Sequence, residues 1–274
     1  MGKIAVDDQL DEIYERALAH QAAGNVEAAI ADFKHCLELD PLDHGGAAVR
    51  LAALGGAPSP DAAPVAYVAT LFDQHADEFD DVLVGQLEYK VPTIARERLD
   101  KLGLARGFDR FLDLGCGTGL AGEAMEDLCD ELVAVDVSEE MVGIAAERGC
   151  YDDLYVAEAV NFLASSDEAP FDCIFATDVL PYLGALEAFA SGLSRCAKPG
   201  ALIGFSTETQ PDSWMGGADW KVGPHHRYAH NMDYVKAVLE GVAIDVRDVC
   251  EITVRLEEGE PVSGHLYLAT KRMD

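Results

Sequence analysis

The sequence predicts an α/β fold: a doubly wound, mostly parallel seven-stranded sheet with an antiparallel last strand, plus a small N-terminal α-helical appendage. Three observations carry that expectation. From Phe108 onward, strand-like runs alternate with helix-like ones: "RFLDLG", "LAGEAMEDL", "ELVAVDV", "EEMVGIAAERG", "LYVAEA", "FDCIFATDV", "ALEAFASGLSRCA", "ALIGFSTE". That order builds a parallel sheet covered by helices on both faces. Near the C-terminus, "CEITVRLEEG" and "SGHLYLATKR" are strands whose short link allows only an antiparallel hairpin. Before Phe108 the pattern is helical and is cut once, by "GGAPSPDAAP" at 55–64, where three prolines and two glycines cannot continue a helix.

The chain therefore divides into a helical segment at 1–56, a linker at 57–65 and a main domain at 66–274. In the first segment, "LDEIYERALAHQAAGNVEAAIADFKHCLELDPLD" reads as two amphipathic helices parted by Gly24 and Asn25, with a further helix at "GGAAVRLAAL". Ala17, Gly24, Ala29, Phe33 and Pro41 fall where a tetratricopeptide repeat has its small residues, turn, aromatic and terminating proline. About three such repeats are normally needed for independent stability, so a single one must pack on the main domain or on a second subunit. After the linker, "VAYVATLFDQHADEFDDVLV" is a helix carrying Tyr67, Leu71, Phe72 and Phe79. The next, "VPTIARERLDKLG", has Pro92 in its first turn and Gly103 at its C-terminal cap.

Composition narrows the function. No apolar run in the 274 residues approaches the roughly 20 needed to span a membrane, and the acidic N-terminus lacks the pattern of a signal peptide. Seven cysteines without a C-x-x-C pair argue against a disulfide framework or a zinc site and for thiols in a reducing cytoplasm. Fifty acidic against 20 basic residues give a formal net charge of −30, which disfavours nucleic acid and anionic membranes as partners.

The densest signal is "FLDLGCGTGLAG" at 111–122. A strand leading through glycines into a helix presents free backbone N–H groups and a positive dipole end to a ligand. A second strand ends in an acid, Asp136, about twenty residues on, placed to accept hydrogen bonds from a ribose. Counted from Gly115, a dinucleotide pattern fits poorly, because Leu120 stands where it requires a small residue.

"LDLGCGTG" closely resembles the first motif of class I S-adenosylmethionine-dependent methyltransferases, and the resemblance extends over about 66–274. It implies a Rossmann-like fold, S-adenosyl-L-methionine as cofactor and methyl transfer to a small-molecule acceptor. On the cofactor side it implies Asp113, Leu114, Gly115, Cys116, Gly117 and Gly119 of the first motif, with Asp136, Val137 and Met141 around the ribose. Glu158 and Ala159 would lie beside the adenine, and Asp178, ending the fourth strand, beside the methionine end. Asp113 or Asp178 would supply the counter-charge to the cofactor's ammonium. Methyltransferases with a repeat-containing N-terminus also look similar.

The substrate side is carried by an insert at 207–231, "TETQPDSWMGGADWKVGPHHRYAHN", which is expected to form a lid. It holds both tryptophans, Trp214 and Trp220, expected with Tyr89 and Tyr182 to contact the acceptor. Tyr228, His230 and His226 are the candidate catalytic residues, because a hydroxyl acceptor needs a base titrating near neutrality. The other use of this insert is a hairpin packed on the helical appendage. His226 and His230 are four apart, yet no third ligand has the usual spacing, and no metal is expected. Two further functions compete: a protein methyltransferase docking its partner through the N-terminal helices, and a non-catalytic cofactor-binding assembly protein. Homodimerisation or a protein contact through those helices goes with either.

Overall fold

The structure, a computed structural model, describes residues 2–223 and 225–273, with side chains from Gln9 onward. Helices α1 (Gly2–Ala22) and α2 (Val26–Leu39) form an antiparallel hairpin closed around Ala17, Ala29 and Phe33, none of which has exposed surface. Gly24 makes the turn at φ +74°. Helix α3 (Ala47–Ala53) adds Ala47 and Leu51 to this small core, and its first amides donate to the carboxylate of Asp43. Burying Phe33 contributes roughly 2 kcal/mol, so this cluster is far too small to hold three helices by itself. It does not stand alone. Val49 of α3 joins Ala63, Tyr182, Val222 and Tyr228 in a second apolar cluster shared with the main domain.

Helix α4 (Val65–His75) is shorter than its sequence suggests. The chain continues as a tight turn at 76–78 and a loosely wound turn at 81–86. Its acids bend it toward the sheet: Asp73 accepts from Ser138 Oγ at 2.5 Å, and Asp80 from Thr118 Oγ1 at 2.5 Å. Helix α5 (Val91–Leu102) has Pro92 in its first turn and ends at Gly103 in the left-handed region, as its pattern requires.

The sheet then follows in strict alternation. Strand β1 (Phe108–Leu114), α6 (Leu120–Met125), β2 (Cys129–Asp136), α7 (Glu139–Arg148), β3 (Asp153–Val156), α8 (Ala159–Ser165) and β4 (Phe171–Ala176) come first. After them come α9 (Glu187–Cys196), β5 (Ala197–Glu208), the short turn α10 (Asp212–Met215), and the insert strands β6 (Trp220–Val222) and β7 (Tyr228–His230). Helix α11 (Met232–Gly241), β8 (Ile244–Glu257) and β9 (Glu260–Lys271) complete the chain. Strands β3, β2, β1, β4 and β5 lie side by side and parallel. Strand β9 runs antiparallel on the far edge of β5, and β8 pairs with it as the other arm of a hairpin. Period-two alternation splits β1 between the two faces: Leu112 and Leu114 enter the core under α8, α9 and α11, Phe111 the core under α5.

The insert adds two strands to the seven expected. Strand β7 is antiparallel to β6 and touches β5 in one parallel pair, Glu208 with Ala229. Glu208 also pairs with Gly264 of β9 on its other side. The insert hairpin must therefore lie on the β4 side of β5, beyond Ala176, where β4 has ended.

Candidate functional site

Above the carboxyl ends of β1, β2 and β4 lies a cavity of about 490 Å³, within the range of small-molecule sites. One wall is the glycine loop. Gly115, Gly117 and Gly119 all have positive φ, and a Cβ on Gly115 would stand 2.3 Å from Val179 Cγ2. A Cβ on Gly117 would instead project toward Phe79, 3.8 Å away, into the space a ligand needs. Glycine is required at 115 by the clash with Val179, and favoured at 117 by its φ of +52°.

Asp136, at the end of β2, closes one end. Its Oδ2 accepts from the Gly117 N–H at 2.8 Å and its Oδ1 from the Ser138 N–H at 2.9 Å. Those bonds fix the carboxylate beside the loop, while burial pushes its pKa up. Val137, Ala157, Glu158 and Ala159 continue the wall. The Glu158 carboxylate caps α8, accepting from Val160 N–H at 2.8 Å and Asn161 N–H at 2.7 Å.

At the other end stands Asp178, a non-glycine residue held at φ +63° just past β4. Strain of this kind persists where surrounding structure imposes it, and functional sites are where it clusters. Here the Asp178 N–H donates to Ser206 Oγ at 2.8 Å, and Arg227 Nη1 sits 3.2 Å from its Oδ2. Its Oδ1 is buried without a hydrogen-bond partner, as is the hydroxyl of Tyr182, and both residues line the crevice. Phe72, Phe79, Leu83, Tyr89 and Tyr182 make the remaining wall apolar and aromatic.

Ten of the expected residues thus line one crevice: Gly115, Cys116, Gly117, Asp136, Val137, Glu158, Ala159, Asp178, Tyr89 and Tyr182. Four others stand behind it. Leu114 and Met141 are fully buried beneath it, and Gly119 packs on Arg148. Asp113 was expected as a possible counter-charge, and this is corrected. It is wholly buried inside β1, accepts from Tyr151 OH at 2.6 Å, and burial pushes its pKa up to about 7. The Gly122 N–H donates to the same tyrosine hydroxyl at 3.1 Å, so Asp113 braces the start of α6.

Of the two uses open to the insert, the lid is corrected and the hairpin packed on the helical appendage is what forms. It is a sheet extension clamped on the N-terminal helices, and none of Trp214, Trp220, His226, Tyr228 or His230 lines the crevice. Tyr228 is fully buried and donates to the carbonyl of Pro60 at 2.8 Å. Trp220 packs against Tyr228 and Gly184, where a Cβ would stand 2.6 Å from the indole. Trp214 lies under the Lys221 ammonium, 4.2 Å from its ring. His226 contacts Gln21 at 3.3 Å, and His230 is sealed with Nε2 3.2 Å from the Gly184 carbonyl. Burial pushes both imidazoles down to about 4. Period-two alternation explains the outcome: Tyr228 and His230 share one face of a strand, and that face was needed for the joint with the helices.

Just before Tyr228 in sequence, the insert does send one group to a lining residue of the site. Arg227 bridges Asp178 and Glu208, at 3.2 Å and 3.6 Å, and its guanidinium lies 5.1 Å over the Tyr182 ring. Arg255, 2% exposed, holds Glu208 at 2.6 Å from the other side. Sequence reasoning passed over Arg227, although it adjoins Tyr228 and is one of only 20 basic residues. The roof formed by Phe72, Phe79 and Leu83 was also missed. The available signal was an amphipathic helix whose apolar face had no other partner.

Residues 112–203 match a family described as a methyltransferase domain. The ubiquinone biosynthesis O-methyltransferase of Maricaulis maris is 32% identical over 143 residues, covering 48% of this chain and 56% of that protein. The protein of the same name from Idiomarina loihiensis is 32% identical over 113 residues, covering 39% and 46%. The chain thus spans about half the length of the curated relatives it matches. Among solved structures, an S-adenosylmethionine-dependent methyltransferase from Clostridium acetobutylicum superposes with a TM-score of 0.54 at 17% identity, covering 74% of this chain and 99% of that one. The N-methyltransferase NodS from Bradyrhizobium japonicum, solved with S-adenosyl-L-homocysteine, gives 0.51 at 18% identity, covering 67% and 89%. The fold is that of the Rossmann-like methyltransferases.

Proposed function

We propose that this chain is an S-adenosylmethionine-dependent methyltransferase acting on a small molecule by in-line displacement. The observation that carries the proposal is one continuous crevice running from Asp136, past the glycine loop, to Asp178 and an aromatic wall. Its donors and acceptors suit the cofactor part by part. Asp136 accepts from the ribose hydroxyls, the glycine loop lets the cofactor approach the backbone closely, and Asp178 lies at the methionine end, beside the reacting centre. The methyltransferase match at 112–203 covers the loop, both acids and the strands that carry them.

When bound, the cofactor supplies a methyl group on a positively charged sulfur. The protein's part is to orient and to exclude water. Phe72, Phe79 and Leu83 roof the crevice, and the chain carrying them is latched to the glycine-loop side through Asp73 with Ser138 and Asp80 with Thr118 and Arg148. Orientation of this kind can supply most of the acceleration such a reaction needs.

The N-terminal helices fit a single tetratricopeptide-like repeat used as a buttress. They close the apolar joint behind Tyr182, and the linker after them lines the crevice mouth through Asp61, Ala62 and Ala63. Titration calorimetry with S-adenosylhomocysteine and with NAD tests the cofactor. The homologue should bind and NAD should not; the reverse result overturns the reading. Incubation with methyl-labelled cofactor and a metabolite extract then identifies the acceptor.

A further inference from the structure

Resting on the methyltransferase reading, we propose that the acceptor atom is the nitrogen of an amine carried on an apolar, phenyl-sized body. The ionisable chemistry of the crevice points there. Its lining carries five carboxylates, Asp61, Asp136, Glu158, Asp178 and Glu187, and no lysine, arginine or histidine. Two cations that touch lining residues are already paired with carboxylates: Arg227 with Asp178 and Glu208, and Arg148 with Asp80 and Glu123. A carboxylate acceptor, or a phenolate formed in place, would be buried against like charge with nothing to compensate it.

A hydroxyl acceptor also needs somewhere to send its proton before or during attack. The imidazoles of the insert are sealed away from the crevice, and the thiol of Cys116, which does line it, is pushed far up by burial. An amine enters as its ammonium form, drawn by the carboxylates, and gives one N–H proton to Asp178 or to water before attack far more readily than an alcohol gives up its proton, which frees the lone pair. That lone pair forms the new N–C bond as the C–S bond breaks onto sulfur, which leaves as a neutral thioether. The positive charge passes to nitrogen, and the product leaves as the methylated ammonium ion. Charge thus moves toward a carboxylate, which stabilises the transition state more than the ground state.

Two buried polar atoms complete the argument. Asp178 and Tyr182 both line the crevice, and Asp178 Oδ1 and the Tyr182 hydroxyl are buried without a hydrogen-bond partner, Tyr182 being only 7% exposed. Leaving such groups unpaired is costly, and an N–H donor is the partner a carboxylate oxygen lacks. The aromatic faces of Phe72, Phe79 and Tyr89 account for the apolar body, and aromatic faces attract a cationic nitrogen.

The test uses the full chain saturated with S-adenosylhomocysteine, titrated with phenylethylamine, phenylethanol and phenylpropanoate, which differ only at the terminal group. The amine should bind about tenfold or more tighter than either of the others, and Asp178→Asn should abolish that preference. Because Asp178 also holds Arg227, the double variant Asp178→Asn/Arg227→Gln, which removes both charges, replaces the single one if that fails to fold. With methyl-labelled cofactor, tyramine offers an amine and a phenol in one molecule, and label should fall on nitrogen. Label on the phenol oxygen, equal affinity for the alcohol or the carboxylate, or a preference that survives loss of Asp178 overturns the proposal. Failure of S-adenosylhomocysteine to bind sinks the methyltransferase reading itself. Its binding without any amine preference sinks only the acceptor class.

Discussion

Asp136 and Gly117 are the residues on which cofactor binding should turn. Asp136→Ala removes a carboxylate that two backbone amides hold in place, and the lost ribose hydrogen bonds should weaken S-adenosylhomocysteine about tenfold to a hundredfold. Gly117→Val fills the space toward Phe79 and forces a branched side chain to positive φ, so binding should be lost more completely. Calorimetry checks both, and wild-type affinity in either variant would remove that residue from the site. Arg227 should act at one remove. Arg227→Ala leaves Asp178 without its cation, so turnover should fall at least about tenfold while cofactor affinity holds, with partial rescue by Arg227→Lys. His230 belongs to stability. Its pKa is pushed from 6.5 to about 4 by burial, so the unfolded chain binds more protons than the folded one between those values. The stabilisation is complete above pH 6.5 and is lost as pH falls toward 4, by on the order of 3 kcal/mol. His230→Gln should flatten that part of the stability profile measured by denaturant titration. A large fall in turnover in a variant of unchanged stability would return His230 to the acceptor side.

At the scale of elements, the N-terminal helices and the insert hairpin are one construction. Val49, Val222 and Tyr228 meet in a single apolar cluster, Tyr228 donates to Pro60, and Ala63 donates its amide to the Tyr182 carbonyl at 2.8 Å. Removing 1–56 should therefore expose that cluster and lower the melting temperature by several degrees or drive association. A truncated protein with unchanged melting temperature, association state and activity would make the helices a tethered docking module. The same joint explains what sequence could and could not disclose. Strand β1, the glycine loop and Asp136 are written locally, as a period-two run, three glycines and an acid at a fixed interval. So were the helix boundaries at Pro92 and Gly103. The hairpin of the insert was not, because its place depends on Glu208 pairing with both Ala229 and Gly264, partners distant in sequence. Reading Tyr228 and His230 as reactive groups followed from their chemistry. Only the long-range pairing shows that their strand face is consumed by packing, while Arg227, just before Tyr228, turns toward Asp178.

For the molecule as a whole, the net charge of −30 and the acid-lined crevice act in the same direction on a charged ligand. S-adenosylmethionine carries a sulfonium and is a net cation at neutral pH, whereas S-adenosylhomocysteine is a neutral thioether of almost the same shape. The protein's field therefore attracts the former and ignores the latter, apart from short-range contacts they share. Salt should separate the two. Around 0.1 M ionic strength the Debye length is about 10 Å, so the many surface acids are already partly screened, and at 1 M it is about 3 Å. Affinity for S-adenosylmethionine should fall across that range while affinity for S-adenosylhomocysteine changes little, and the ratio should level off at a residual set by Asp178 and its buried neighbours. Calorimetry of both ligands at a series of salt concentrations measures this directly. A ratio independent of salt would mean that the surface charge serves solubility alone and that discrimination is local. A parallel loss for both ligands would mean that salt acts on the fold. In that case the melting temperature of the free protein should fall with salt, which runs against the relief of self-repulsion expected for so acidic a chain.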